Sequence, residues 1–244
     1  MVVLYYATAS LGATFVPLNY RSKTEELEYM INAADISVLF VSERYFEIYQ
    51  KISGNLSTID HVVSLGFDSE HHQSYNNLID SGEDIPVFTD IDDEDATLII
   101  YTSGTTSLPK GVVLSYKALT ALVVNTQSPA DPISDQEVIL VSVGFYHIAG
   151  ATTLMSAIFS GRQLVLLDGF SPADWLDAVE SNKVTHAFVV PTMLKRIMEV
   201  EDFEKRVLDI LELNFEQYLS KIKNPDRFYN FKIDTLDFLR SEID

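Results

Sequence analysis

An α/β domain with a largely parallel sheet is the fold class this sequence predicts, and two observations predict it. Apolar runs of strand length alternate with stretches of helical period through most of the chain. The 244 residues are 47% hydrophobic, which is enough apolar material to bury a core of ordinary domain size and excludes a chain disordered throughout.

The elements follow in order. Met1 to Leu18 carries no charge but lacks the basic start of a signal peptide, and Thr8, Ser10, Gly12 and Thr14 interrupt it too often for a membrane span. It is read as a buried helix running into a short strand, closed by the turn chemistry of Pro17 and Asn19. Ser22 and Glu25 have capping-box spacing and open a helix with Leu27, Met30, Ile31 and Ala34 on its apolar face. A strand over Ser37 to Val41 and a helix over Glu43 to Ile52 come next. Thr97 to Tyr101 is a strand, Lys117 to Thr126 a helix, Val138 to Val143 a strand, and Ala149 to Phe159 a helix stopped by Gly161. Gln163 to Leu167 is a strand, Pro172 to Asn182 a helix begun by Ser171, and His186 to Val190 a strand ended by Pro191. Met193, Leu194, Ile197 and Met198 form an apolar stripe read as core packing.

One interval breaks the alternation. Ile52 to Pro109 holds no Lys or Arg and eleven Asp or Glu, most densely at Asp90 to Asp95. The acidic run is read as a solvated surface loop before a strand, in preference to an interaction site. From about Glu199 onward charge is dense and apolar residues such as Val207, Ile210 and Leu211 recur at helical spacing, which marks a different module.

Composition narrows the function. Lys and Arg number 17 against 36 Asp and Glu, a net charge of −19, and such a surface repels a nucleic-acid backbone. With no cysteine there is no disulfide, thiolate zinc site or thiol nucleophile, which fits a cytoplasmic setting. His71 and His72 lack the cysteines or ordered carboxylates of a metal centre and are read as solvent-exposed.

The chemistry concentrates in Tyr101 to Gly111, a hydroxyl-rich turn after a strand. Thr102, Ser103, Gly104, Thr105, Thr106, Ser107, Lys110 and Gly111 provide backbone N–H groups, hydroxyls and one cation, a composition suited to a polyphosphate. The spacing from Gly104 to Lys110 only half fits a Walker loop: Pro109 stands where its second glycine belongs, and Gly111 where its metal-binding hydroxyl belongs. His147, between Tyr146 and Ile148, reads either as a core histidine or as a pocket-lining group.

This loop resembles the signature of the adenylate-forming superfamily, which includes acyl-CoA synthetases, luciferases and peptide-synthetase adenylation domains. The pattern Tyr-Thr-Ser-Gly-Thr-Thr-Gly-x-Pro-Lys-Gly is matched except at Ser107, which replaces the second glycine. Gly12 to Asn19 is similar to the family's early helix-to-strand segment, Phe145 to Gly150 to its aromatic-His-x-x-Gly stretch, and Val184 to Leu194 to a following strand and helix start. The resemblance implies a partial adenylate-forming N-terminal domain over residues 1–199, with largely parallel sheets flanked by helices and a helical tail over 200–244. It further implies that the loop residues, with Lys110 catalytic, hold the ATP phosphates beside Mg2+. His147 and Gly150 border the pocket of a small carboxylic acid, fatty, aryl or amino. Acyl-AMP forms and passes its acyl group to the thiol of coenzyme A or of a phosphopantetheine carrier.

The family's magnesium glutamate, ribose aspartate, hinge and C-terminal catalytic lysine have no counterpart in the sequence, so the chain reads as truncated. Two further readings follow: an inactive nucleotide- or carrier-binding fragment, or one part of a synthetase completed by another subunit. The tail has a resemblance of its own. Phe203 to Leu211 and Phe231 to Leu239 are similar to the first half of an acyl carrier protein, with Thr235 at the phosphopantetheine position. An amphipathic helical extension accounts for the same periodicity.

Overall fold

The computed structural model describes residues 1–102, 108–131, 136–203 and 206. The chain divides into two compact units: residues 1–126 with 145–151, and residues 127–144 with 152 onward.

The first unit opens with α1 (Val2–Ser10), followed at Phe15 by one parallel bridge to Leu98. The predicted N-terminal helix is therefore present but only half-buried: Leu4 and Tyr5 face inward, while Val3 is 58% exposed. Tyr5 meets Phe15 edge to face at 5.7 Å, and burial pushes the phenols of Tyr5 and Tyr6 up to about 12. Helix α2 (Thr24–Ala33) starts one residue later than the sequence indicated: Glu26 Oε2 accepts from the Lys23 backbone N–H at 2.9 Å. Its Met30 and Ile31 are buried.

Strand β1 (Val38–Ser42) leads into α3 (Glu43–Ile52), close to expectation. The acidic interval is more ordered than a loop. It contains β2 (His61–Leu65), β3 (Gln73–Ser74) and α4 (Tyr75–Ser81), and β2 is the centre of a parallel sheet ordered β1-β2-β3. Its densest acidic part remains exposed but is knitted. The N–H of Asp92 donates to Asp95 Oδ2 and that of Glu94 to Asp92 Oδ1. Asp95 and Asp93 carbonyls accept from the N–H groups of Tyr116 and Lys117, closing the start of α5 (Tyr116–Thr126).

A second sheet begins within the end of the interval and runs up to α5. Strand β4 (Ala96–Thr102) pairs antiparallel with β5 (Lys110–Ser115), a strand the sequence reading did not contain. Leu98 and Ile100 of β4 are buried, whereas Val112 and Val113 of β5 are exposed.

The second unit is a parallel sheet ordered β7-β6-β8, built from β6 (Val138–Val141), β7 (Gln163–Leu166) and β8 (His186–Ala187). All four β6 residues are buried. Helix α6 (Ile148–Phe159) has its first turn in the first unit and the remainder in the second. Gly161 ends it at φ +65, and a Cβ there would lie 2.8 Å from Ala130 Cβ, so both backbone and packing demand glycine. Helix α7 (Pro172–Ser181) is capped by Ser171 Oγ, which accepts from the Asp174 N–H. Val138 and Leu140 pack with Val179 and Val184, against Trp175 and Ala178. Strand β8 is shorter than predicted, because Pro191 begins α8 (Pro191–Met198). On α8 only Ile197 of the apolar stripe is fully buried.

Among the described residues no helix is long and apolar enough to cross a membrane.

Candidate phosphate and acid site

The loop of interest joins the two strands of an antiparallel hairpin. Thr102 and Lys110 are register partners at its open end, and Thr102 Oγ1 lies 3.5 Å from the Lys110 carbonyl. Tyr101 opposes Gly111, where a Cβ would come within 3.3 Å of the tyrosine ring and 3.2 Å of Ile99. Glycine at position 111 thus lets the ring lie flat against the partner strand. The Tyr101 hydroxyl donates to the Met30 carbonyl at 3.0 Å, which ties the hairpin to α2. Burial, with Tyr29 nearby, raises its phenol above the ordinary value.

Lys110 is exposed and forms no ion pair among the described residues. It is also the first cation after Lys51. An uncommitted ammonium at the mouth of a hydroxyl-rich turn suits a triphosphate. The hairpin removes what remained of the Walker comparison: the whole of β5 separates the loop from α5, so no helix N-terminus follows the turn. Ser103, Gly104, Thr105, Thr106 and Ser107 lie outside the described residues, as does Thr235 of the tail.

His147 is exposed, which sets aside the core-histidine reading. Its carbonyl accepts from the N–H groups of Gly150 and Ala151, so the chain turns tightly there, and Gly150 is buried. The His147 ring lies 4.5 Å from that of Tyr146, and Tyr146 meets Tyr20 edge to face at 5.6 Å. The Arg21 guanidinium carbon is 5.2 Å from the Tyr20 ring centroid. The Phe145 to Gly150 stretch is thereby brought against Tyr20, the residue that follows the Gly12 to Asn19 segment.

The pair His71 and His72 splits. His71 is exposed, but His72 is not the solvent-facing residue expected: its ring packs on Phe46 and Tyr49, and its Nδ1 lies 2.8 Å from Ser69 Oγ. The described residues contain no group of three metal-ligating side chains.

Sequence reasoning missed Ser142. It follows β6, the first strand in the chain order of its sheet and the central one in space, and its Oγ is buried with no hydrogen-bond partner among the described residues. Open α/β sheets bind ligands outside the carboxyl ends of such strands, at the point where strand order reverses. A central strand starting a new sheet was the available signal, but strand order is not visible in sequence. The Phe145 to Gly150 stretch leaves β6 from that same end.

The fold is that of the N-terminal domain of adenylate-forming enzymes. The inhibitor-bound N-terminal domain of FACL13 from Mycobacterium tuberculosis superposes with a TM-score of 0.73 at 22% identity, covering 82% of this chain and 49% of that one. The chain belongs to the AMP-binding enzyme family, whose pattern matches residues 1–223. It is 31% identical over 202 residues to indoleacetate–CoA ligase of Aromatoleum aromaticum, which covers 81% of this chain and 39% of that enzyme. It is 28% identical over 210 residues to medium-chain-fatty-acid–CoA ligase of Ectopseudomonas oleovorans, covering 81% and 38%. The chain thus spans about two fifths of the length of these curated relatives.

Proposed function

We propose that this chain carries the ATP-phosphate loop and part of the acid pocket of an AMP-forming acid–thiol ligase. The observation that supports it most is Lys110: an exposed cation with no ion-pair partner among the described residues, fixed by strand pairing at the open end of the hairpin, in a chain of the AMP-binding family. In this reading Thr102 and the hydroxyls and amides of residues 103–107 orient the β and γ phosphates, and Lys110 offsets their charge. A carboxylate oxygen attacks the α phosphorus, the bond to the β-phosphate oxygen breaks, and acyl-AMP and pyrophosphate form. A thiol, of coenzyme A or of a phosphopantetheine carrier, then displaces AMP and takes the acyl group as a thioester, with loss of the thiol proton.

His147 and Gly150 border the acid, His147 as a shape and polarity element. Magnesium would accompany the triphosphate, as it commonly does, held in part by phosphate oxygens and water. It would supply further neutralisation of the triphosphate. The tail beyond residue 199, with Thr235 where a carrier holds its prosthetic group, is the segment we assign to carrier-like interactions.

A second reading is a fragment that binds nucleotide without turnover, or works with a complementing synthetase subunit. One experiment separates them: ATP–pyrophosphate exchange with octanoate, indoleacetate or ferulate, beside direct ATP binding. Exchange that falls about a hundredfold or more in Lys110→Ala, the loss typical of removing one charge-stabilising group, supports the ligase. Exchange undiminished in that variant removes Lys110 from the mechanism. ATP binding that Lys110→Ala abolishes, with no exchange by the parent chain, selects the fragment.

A further inference from the structure

We infer that Tyr20, steadied by Arg21, is a positioning residue that sets the orientation of the His147 imidazole through the intervening ring of Tyr146. The inference rests on the reading of His147 as a pocket-lining group but goes beyond it, because Tyr20 and Arg21 lie outside the Gly12 to Asn19 and Phe145 to Gly150 stretches that carry the resemblance.

The contact sequence is continuous within the first unit. Asn19 forms the base: its Oδ1 accepts from the Arg21 N–H at 2.9 Å and its carbonyl from the Ser22 N–H at 3.0 Å, a local turn that presents Tyr20 and Arg21 together. The Arg21 guanidinium lies over the Tyr20 ring, where a cation is attracted to the aromatic face. Tyr20 meets Tyr146 at an interplanar angle of 81°, the edge-to-face geometry that ring quadrupoles favour. Burial first, then the neighbouring Tyr20, raises the Tyr146 phenol above its ordinary value, while Arg21 lowers it. Tyr146 in turn lies 4.5 Å from His147 at 44°.

Among the described residues the two backbone hydrogen bonds at His147 engage its carbonyl and not its ring, and the side chain is exposed, so ring orientation is set by neighbouring side chains. Tyr146 is the neighbouring ring in contact with it, and Tyr20 is what holds Tyr146. An exposed imidazole on an unheld tyrosine would sample several rotamers, and a polarity element that wanders discriminates poorly between acids.

Histidine-selective NMR on the full chain tests this without any need for activity. The five histidines give five Cε1–H signals, with His147 assigned by its loss in His147→Gln. Tyr20→Leu is expected to move the His147 signal while those of His61, His71, His72 and His186 stay in place. Tyr20→Phe, which keeps the ring and removes the hydroxyl, and Arg21→Met, which keeps both rings, are expected to move it less. A His147 signal unmoved in Tyr20→Leu but moved in Tyr146→Leu overturns the inference, as does a shift of all five signals together. Where Tyr20→Leu does not fold, His147 unmoved in both milder variants overturns it equally.

Exchange kinetics with octanoate supply the second arm. Tyr20→Leu is expected to raise KM for octanoate about two- to tenfold, the factor one aromatic pair is worth, with KM for ATP unchanged. Equal changes in both constants assign Tyr20 a merely structural role and overturn the inference. If the parent chain shows no exchange, the proposed reaction fails while the NMR result still decides whether Tyr20 positions His147.

Discussion

The two parallel sheets of this protein have the same size and opposite histories. In the first unit the strands lie side by side in chain order, β1-β2-β3, whereas in the second the earliest strand, β6, is central, with β7 on one side and β8 on the other. Each central strand carries a buried serine at or just past its carboxyl end. Ser64 of β2 donates to the Gln73 carbonyl at 3.3 Å, while Ser142 after β6 has no partner among the described residues. A buried hydroxyl without a partner costs free energy, so its persistence needs an explanation beyond packing. The sheet with the reversal of strand order is the one that leaves its serine unmet and passes directly into the segment bearing His147. The two sheets thus differ in strand order and in whether the serine of the central strand is hydrogen-bonded among the described residues.

Aromatic residues allow the two to be followed apart. The single tryptophan, Trp175, lies in the second unit, and ten of the twelve tyrosines lie in the first, Tyr218 and Tyr229 being the others. The largest expected effect is at Gly161. Alanine there meets both a left-handed backbone and Ala130 Cβ at 2.8 Å, and Gly161→Ala should lower stability by about 1–3 kcal/mol in urea titrations read by Trp175 fluorescence. If tyrosine near-UV signals keep their parent midpoint while the tryptophan transition moves, the units unfold separately. Coincident shifts would merge them into one cooperative body.

Smaller, and more pointed, is the serine pair. Ser64→Ala removes a satisfied donor and should cost about 1 kcal/mol, whereas Ser142→Ala removes an unsatisfied one and should change stability by about zero or raise it slightly. Equal losses in thermal or urea unfolding would show that the Ser142 hydroxyl is already partnered, and the contrast between the sheets would disappear.

How much of this was legible depends on the range of the interaction. Helices α3 and α7 were readable nearly to the residue, because Ser171, Pro172 and the apolar period act locally. Gly161 was readable as a helix stop, for the same reason. Strand β5 was missed because Val112 to Leu114 can begin a helix or pair as a strand, and the partner that decides, β4, acts through the hairpin. Strand β2 was hidden by surrounding acidic residues, although Val62, Val63 and Leu65 carry strand character. At the site, Lys110 and Gly111 stood out through an ordered motif. The approach of Tyr20 to Tyr146 did not, since nothing local to either residue encodes a contact across most of the chain.

The smallest predicted effect is a pH slope confined to the second unit. His186 opens β8 as the register partner of Ile139, and its Nδ1 lies 2.8 Å from Thr185 Oγ1. That hydroxyl also accepts from the Val138 N–H at 2.9 Å and lies 3.0 Å from the Val138 carbonyl, so the residue before β8 clamps the start of β6. Burial first, then the nearby Arg162, holds the His186 imidazole below its ordinary value of 6.5, with Glu137 pulling the other way. A base held neutral in the folded state binds its proton later than the unfolded chain does. Its contribution to stability is therefore complete above 6.5 and is lost as pH falls through the window between 6.5 and the lower folded value. Trp175 unfolding midpoints should thus be flat above pH about 7.5 and decline toward about 5.5, the range in which histidine titrates. His186→Gln should flatten that decline. A slope that survives the substitution would assign the acid sensitivity to carboxylates elsewhere and leave the two sheets alike in their response to protons.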